Sequence, residues 1–140
     1  MSEDSSFFLM RDGVDKDKNF ILATFLRGLY YGEYWYEEIP KDIFMNNYKH
    51  IAKVLIDAPG TTIKVACDPE EPSVIYGYSI MNSDYSILHW VYVKKVWRSK
   101  GIGRALVPQR LISVTHLSKL GKLFLSTKYK DTIFNPFKLF

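Results

Sequence analysis

Apolar residues along this chain recur at two different spacings, and the changes of spacing divide it into elements. Phe7-Phe8-Leu9-Met10-Arg11 suits a first strand, stopped by Asp12-Gly13. From Lys16 to Gly32 the apolar residues Ile21, Leu22, Phe25, Leu26, Leu29 and Tyr30 recur at helical spacing. A second helix is predicted from Pro40 to Asp57. Proline suits a first helical turn, and Phe44, Tyr48, Ile51 and Leu55 make one stripe. Pro59-Gly60 ends it.

The spacing then becomes two. Ile63, Val65 and Cys67 alternate with Lys64 and Ala66, and runs from Val74 to Met81 and from Ile87 to Lys94 follow. The connections Asp68-Pro69-Glu70-Glu71-Pro72 and Asn82-Ser83-Asp84 are short, so the three strands form an antiparallel meander. Beyond Gly103 a helix is predicted to about Leu120, then a strand from Lys122 to Thr127. That strand returns after a helix and should lie parallel to the one before it. A short last helix is predicted from Asp131 to Phe140. Pro108 and Pro136 fall inside these helices, where a proline costs about 3 kcal/mol, so a kink near Arg104 is expected. The order is strand, two helices, three strands, helix, strand, helix. It predicts one α/β domain, residues 1–140, around a mixed sheet.

Bulk properties narrow the partners. The 140 residues are enough for one genuine core, and 47% hydrophobic with 24% charged residues is ordinary for a globular domain. The net charge of +4 fits an anionic ligand, without the basic run that nucleic-acid binding would call for. Cys67 is the only cysteine, so neither an intrachain disulfide nor a cysteine zinc cluster is expected, and no metal is predicted. The acidic start Met1-Ser2-Glu3-Asp4-Ser5-Ser6 has no signal-peptide pattern, and no apolar run approaches the ~18 residues that span a bilayer. A cytoplasmic protein away from membranes is the expectation.

The densest chemical signal is Arg98-Ser99-Lys100-Gly101-Ile102-Gly103-Arg104-Ala105, directly after the strand Ile87-Leu88-His89-Trp90-Val91-Tyr92-Val93. Two glycines one residue apart let the backbone turn tightly and bring N–H groups towards a ligand. The helix that follows opens with unpaired N–H donors, and Arg98, Lys100 and Arg104 add three cations. A phosphate-bearing ligand fits. A P-loop needs a longer spacing ending in Lys-Ser/Thr, and the dinucleotide fingerprint needs a third glycine where Leu106 stands.

Arg-x-x-Gly-x-Gly after Val91-x-Val93 resembles the acetyl-CoA loop of the GCN5-related N-acetyltransferases, although Lys95 stands where that family commonly has proline. The element order resembles theirs over nearly the whole chain. The resemblance implies that the two parallel strands beside the loop splay apart and that the pantetheine arm enters the gap. It implies cofactor contacts at Val91, Val93, Arg98, Ser99, Lys100, Gly101, Ile102, Gly103, Arg104 and Ala105, with acetyl-CoA as co-substrate. The family usually closes with a further two-strand hairpin, which the predicted elements leave no room for. A minimal version, or a homodimer that completes the sheet, is implied.

Acetyl transfer to an amine needs a base, a polarised thioester carbonyl and a proton for the leaving thiolate. His89 lies on the strand that enters the loop and, by alternation, should share a face with Val91 and Val93. The arylalkylamine members of the family have a histidine at the matching position, so His89 is the candidate base, acting directly or through water. The alternative is a buried histidine bonded to backbone. His50 and His116 are predicted in helical segments away from the loop. The resemblance also implies a bulge near Val93 whose N–H polarises the carbonyl. The family's last helix commonly carries a tyrosine as acid. Superposition on the segment from Asp131 puts Lys138 there, leaving solvent or Tyr129.

Apart from stacking on nucleic-acid bases, which its acidic residues oppose, the aromatic run Tyr30-Tyr31-Gly32-Glu33-Tyr34-Trp35-Tyr36-Glu37-Glu38 has two readings. It borders the acceptor site, with the glutamates drawing in an amine, or its rings cap the open side of the sheet. The expected activity is acetyl transfer from acetyl-CoA to a primary amine of a small molecule or a protein. The alternative is a non-catalytic binding or assembly module that keeps the fold and the cofactor loop.

Overall fold

The computed structural model describes residues 7–32 and 34–139. Six strands form one sheet in chain order: β1 (Leu9–Asp12), β2 (Thr61–Cys67), β3 (Ile75–Asn82), β4 (Ile87–Val93), β5 (Ser113–Val114) and β6 (Ile133–Phe134). The first four are antiparallel, while β4–β5 and β5–β6 are parallel. The predicted α/β class, the meander and the mixed sheet all stand.

Helices α1 (Lys18–Gly32), α2 (Tyr34–Glu37) and α3 (Lys41–Asp57) follow β1. Ile21, Phe25 and Leu29 of α1 and Phe44, Ala52 and Leu55 of α3 are buried against Val65, Tyr78, Ile80 and Trp90 of the sheet. This is the main core, and burying each such side chain contributes about 1.5–3 kcal/mol. The Tyr78 hydroxyl, wholly buried, is satisfied by Thr24 Oγ1 at 2.6 Å and by the Ile21 carbonyl at 3.1 Å, which pins α1 to β3. Arg11 forks onto both Asp17 oxygens at 2.7 and 2.9 Å and ties β1 to the start of α1.

The chain departs from the sequence reading after Gly103. The helix there, α4, spans only Ile102–Leu106 and does not reach Leu120. Val107 is extended (φ −99°, ψ 131°), because the residue before a proline is pushed out of the helical region, so Pro108 stops the helix and does not kink it. The parallel strand is Ser113–Val114, and the stretch predicted as a strand from Lys122 is the middle of a helix, α5 (Lys119–Lys128). Ser118 caps that helix, its Oγ accepting from Gly121 N–H at 3.0 Å. Leu117, Leu125 and Tyr129, spaced by multiples of four, turn one side of this segment onto Val107, Leu111 and Val114.

The segment from Asp131 is not a helix. Pro136 lacks the N–H a helix needs, and Ile133–Phe134 pairs beside β5 instead. The superposition that placed Lys138 opposite a tyrosine therefore falls. The helix in that place in the order is α5, with Tyr129 at its C-cap. Because the elements lie earlier in the chain than predicted, there is room for β6, one strand beyond the predicted set. Among the described residues, no helix is long and apolar enough to cross a membrane.

Candidate functional site

The two parallel strands β4 and β5 share only two residue pairs, Ile87–Ser113 and Leu88–Val114. One more bond, Thr115 N–H to the Leu88 carbonyl at 3.1 Å, closes the ladder. β4 runs on to Val93, whereas β5 ends at Val114 and the segment after it leads through Leu117 and Ser118 to α5. Lys94 N–H donates to the Tyr76 carbonyl at 2.8 Å, on the β3 side. Edge groups alternate along a strand, so the N–H and C=O groups of Val91 and Val93 face the gap. A cleft of about 860 Å³ opens there. Its walls are the gap edge of β4, the loop before α4, His116 to Ser118, Leu125 of α5, and Gly28, Tyr31 and Gly32 of α1.

At one end stands the cationic loop. Ile102 and Leu106, 1% and 2% exposed, anchor α4 on Ala66 and Tyr76. Trp97 stacks on the Tyr76 ring at 3.9 Å between centroids, which holds the approach to the loop. Between these anchors the backbone turns through two left-handed residues, Ser99 (φ 63°) and Gly101 (φ 90°). Arg98 Nε donates to the Val93 carbonyl at 2.9 Å. Arg98, Lys100 and Arg104 enter none of the ion pairs among the described residues. Of the predicted cofactor residues, Val91, Val93, Arg98, Ser99, Gly101, Gly103 and Arg104 line the cleft. Ile102 points into the core, and Lys100 and Ala105 stand outside the walls.

The two loop glycines are not equivalent. A Cβ at Gly101 meets nothing within 4 Å, but its positive φ strains any L side chain. Gly101→Ala should cost about 1–2 kcal/mol. At Gly103 a Cβ would touch only Val93 Cγ2, at an ordinary 3.9 Å. Gly103→Ala should leave stability unchanged or raise it by up to about 1 kcal/mol, through helix propensity. Urea midpoints of the two variants check this; equal costs would contradict the loop conformation.

The histidines sit at the other end, in an arrangement the sequence reading missed. β4 does not bulge near Val93, whose pairing with Gly77 is regular. The irregularity lies where Ile80 pairs with Trp90 but Met81 with Leu88, so His89 is the extra residue. A bulge re-aims its side chain, so His89 leaves the face of Val91 and Val93. It is 2% exposed and forms no part of the cleft wall. Its Nδ1 lies 2.9 Å from Thr115 Oγ1, which lies 2.9 Å from Nδ1 of His116. His116 is not in a helix: it follows β5, lines the cleft, and bonds through Nε2 to the Tyr48 hydroxyl. Phe25 holds its ring edge-on, 5.1 Å away.

Burial pushes both imidazoles down to about 4, His116 with a further contribution from the charge His89 would carry. Both are therefore neutral at pH 7. Burial also raises the Tyr48 phenol above its ordinary value. Tyr129 packs beside Val107 and Val114 near the positive charge of Arg104, away from the cleft wall, and burial raises its hydroxyl too. His50 is exposed on α3.

The aromatic run divides between its two readings. Tyr30 and Tyr36 pack against Phe44 in the core, whereas Tyr31 lines the cleft. Glu37 and Glu38 are exposed and do not line the cleft, and Glu33 lies outside the described residues, as do the side chains of Tyr34 and Trp35. Among the described residues no cluster of His, Cys, Asp or Glu is arranged to hold a metal.

No family model matches the chain, and no curated protein is detectably similar to it in sequence. Solved structures do match. A protein from Pyrococcus furiosus assigned as an acetyl transferase superposes with a TM-score of 0.59 at 16% identity, over 90% of this chain and 79% of its own. One from Clostridium difficile 630, assigned as an acetyltransferase, gives 0.50 at 16% identity, over 94% and 82%. At this identity the likeness speaks for the fold and not for the activity. With its splayed β4–β5 pair and the basic loop opening α4, the chain shares the fold of these two proteins, in keeping with the fold that its resemblance to the GCN5-related N-acetyltransferases implies.

Proposed function

We propose that the chain binds acetyl-CoA in the β4–β5 cleft and transfers its acetyl group to a primary amine of a small molecule or a protein. The observation that carries this reading is the edge of β4 beyond Leu88, which has no partner strand and leads from Arg98, Lys100 and Arg104, none of them in an ion pair among the described residues, to His116. Such a cleft suits a long ligand with an anionic end and amides along its length. Arg98 and Arg104 on the cleft wall, with Lys100 beside it, and the N–H groups around Gly101 and Gly103 would hold the pyrophosphate. The gap-facing N–H groups of Val91 and Val93 and the Val91 C=O would pair with the pantetheine amides, as an added strand would, while the Val93 C=O already accepts from Arg98 Nε. Acetyl-CoA would supply the acyl group as an activated thioester. Trp90, Leu117 and Leu125 give the same cleft an apolar wall, and His116, which also lines it, is neutral.

Calorimetry or thermal unfolding with acetyl-CoA tests this reading. At one hundred times its dissociation constant, acetyl-CoA should stabilise the fold by about 2.7 kcal/mol. Arg98→Glu should remove most of that gain, and no shift at millimolar acetyl-CoA would sink the proposal. Two observations favour the non-catalytic module: both nitrogens of His116 are engaged, and Tyr129 stands off the cleft wall. Tight CoA binding without transfer to any amine in a broad panel would decide for it.

A further inference from the structure

Thr115 carries one hydroxyl proton between two imidazole nitrogens, each 2.9 Å away. It donates to one ring and accepts from the other, so His89 and His116 must hold opposite tautomers. The Tyr48 hydroxyl fixes which is which. An imidazole nitrogen accepts more strongly than a phenol oxygen, so Tyr48 O–H donates to His116 Nε2. His116 Nδ1–H then donates to Thr115, and Thr115 O–H donates to Nδ1 of His89. This sense is assigned from the network as a whole.

We propose that His116 takes the acceptor's proton at Nε2, and that Thr115 and His89 are positioning residues acting through it. The proposal rests on the acyl-transfer reading above. Only His116 of the two rings lines the cleft, and Thr115 leaves its Nε2 without a proton of its own. The Tyr48 hydroxyl covers that lone pair, and Tyr36 lies within hydrogen-bonding reach of the same hydroxyl. When Tyr48 turns to Tyr36, the lone pair is exposed. As the neutral acceptor amine attacks the thioester carbonyl with its lone pair, its N–H bond breaks and an Nε2–H bond forms; the C–S bond then breaks, and the leaving thiolate takes its proton from the imidazolium or from solvent. The new imidazolium keeps its Nδ1–H on Thr115. His89, by accepting the Thr115 proton, holds a Thr115 lone pair towards His116. The arrangement is a base oriented by a second and a third group.

Histidine ¹⁵N spectra and kinetics test the two halves separately. In the unaltered protein, His116 should show a bare Nε2 and a protonated Nδ1, with the reverse at His89. Thr115→Val keeps the shape and removes the hydroxyl; Thr115→Ser keeps the hydroxyl. With acetyl-CoA affinity unchanged by calorimetry, Thr115→Val should lower kcat about 10- to 100-fold and leave the acceptor KM within about twofold, and Thr115→Ser should restore most of the rate. His116→Gln should lose about 100-fold or more.

A protonated Nε2 on His116 would overturn the proposal. So would Thr115→Val or His116→Gln turning over at the normal rate. If Thr115→Val does not fold, His116→Gln and the spectra of the unaltered protein decide. Acetyl-CoA binding with no transfer by the unaltered chain overturns the acyl-transfer reading itself, an outcome distinct from transfer that survives in the variants.

Discussion

Acidification from pH 6.5 to 4 will remove on the order of 5 kcal/mol of folding stability, through two buried rings. His89 and His116 titrate near 4 in the folded protein and near 6.5 when unfolded. Above pH 6.5 both states leave the rings neutral, so neither favours unfolding. As the pH falls below 6.5 the unfolded chain takes up protons that the folded chain refuses, and stability drops. The loss is complete once the pH is below about 4. Each ring alone amounts to roughly 3 kcal/mol, and the pair is worth less than a simple sum because part of the His116 shift comes from His89.

The groups packed around the rings, Tyr48, Thr115 and Phe25, are uncharged across this window. Asp17 contributes at lower pH, because its bonds to Arg11 hold its carboxyl below the ordinary range. Folding stabilities of this size leave little margin against a total of about 5–15 kcal/mol. Urea midpoints measured from pH 7 to 4.5 should fall steadily, and less so in a His89→Gln, His116→Gln double variant. A flat profile in the unaltered protein would mean that the rings are open to water.

The second large effect is expected at Gly77 on β3. A Cβ there would stand 2.5 Å from the Tyr92 carbonyl oxygen and 3.2 Å from Val93 Cα. Both atoms are backbone of β4, so no side-chain rotation relieves the clash. The strands would have to part, and β4 is the strand whose free edge forms the cleft. Gly77→Ala should therefore cost about 3 kcal/mol or more, and should also weaken the acetyl-CoA binding proposed for that cleft. Gly60→Ala is the control, since a Cβ there meets nothing within 4 Å. A Gly77→Ala midpoint within about 1 kcal/mol of the parent would contradict the close β3–β4 approach.

The first two-thirds of the chain was readable because its periodic signals are long. α1 and α3 extend over 15 and 17 residues, and β2 to β4 over seven or eight, so alternation and helical stripes recur enough to be distinguished. β5 and β6 have two residues each, too few for any period. Without them, the apolar cluster Leu123-Phe124-Leu125 read as a strand, although Leu123 is exposed on α5. Ser118, three residues before Gly121, was the cap signal that marked the helix start. Pro108 was noticed, but a stop was read as a kink.

Local sequence thus determined the meander, the two long helices and a basic loop of the right shape to turn through Gly101, because each depends on neighbours within a few residues. Which histidine reaches the cleft was decided elsewhere. One extra residue between Leu88 and Trp90 turned His89 inward, and Pro108 ended α4 early enough for His116 to follow β5. Those outcomes depend on pairing between strands far apart in the chain, and the cleft exists only because β4 outruns its partner. The hydrogen bonds joining Tyr48 to His116 span 68 residues, and those joining His89 to Thr115 span 26. No local pattern encodes such a contact, since its energy is realised only when the core brings the two ends together.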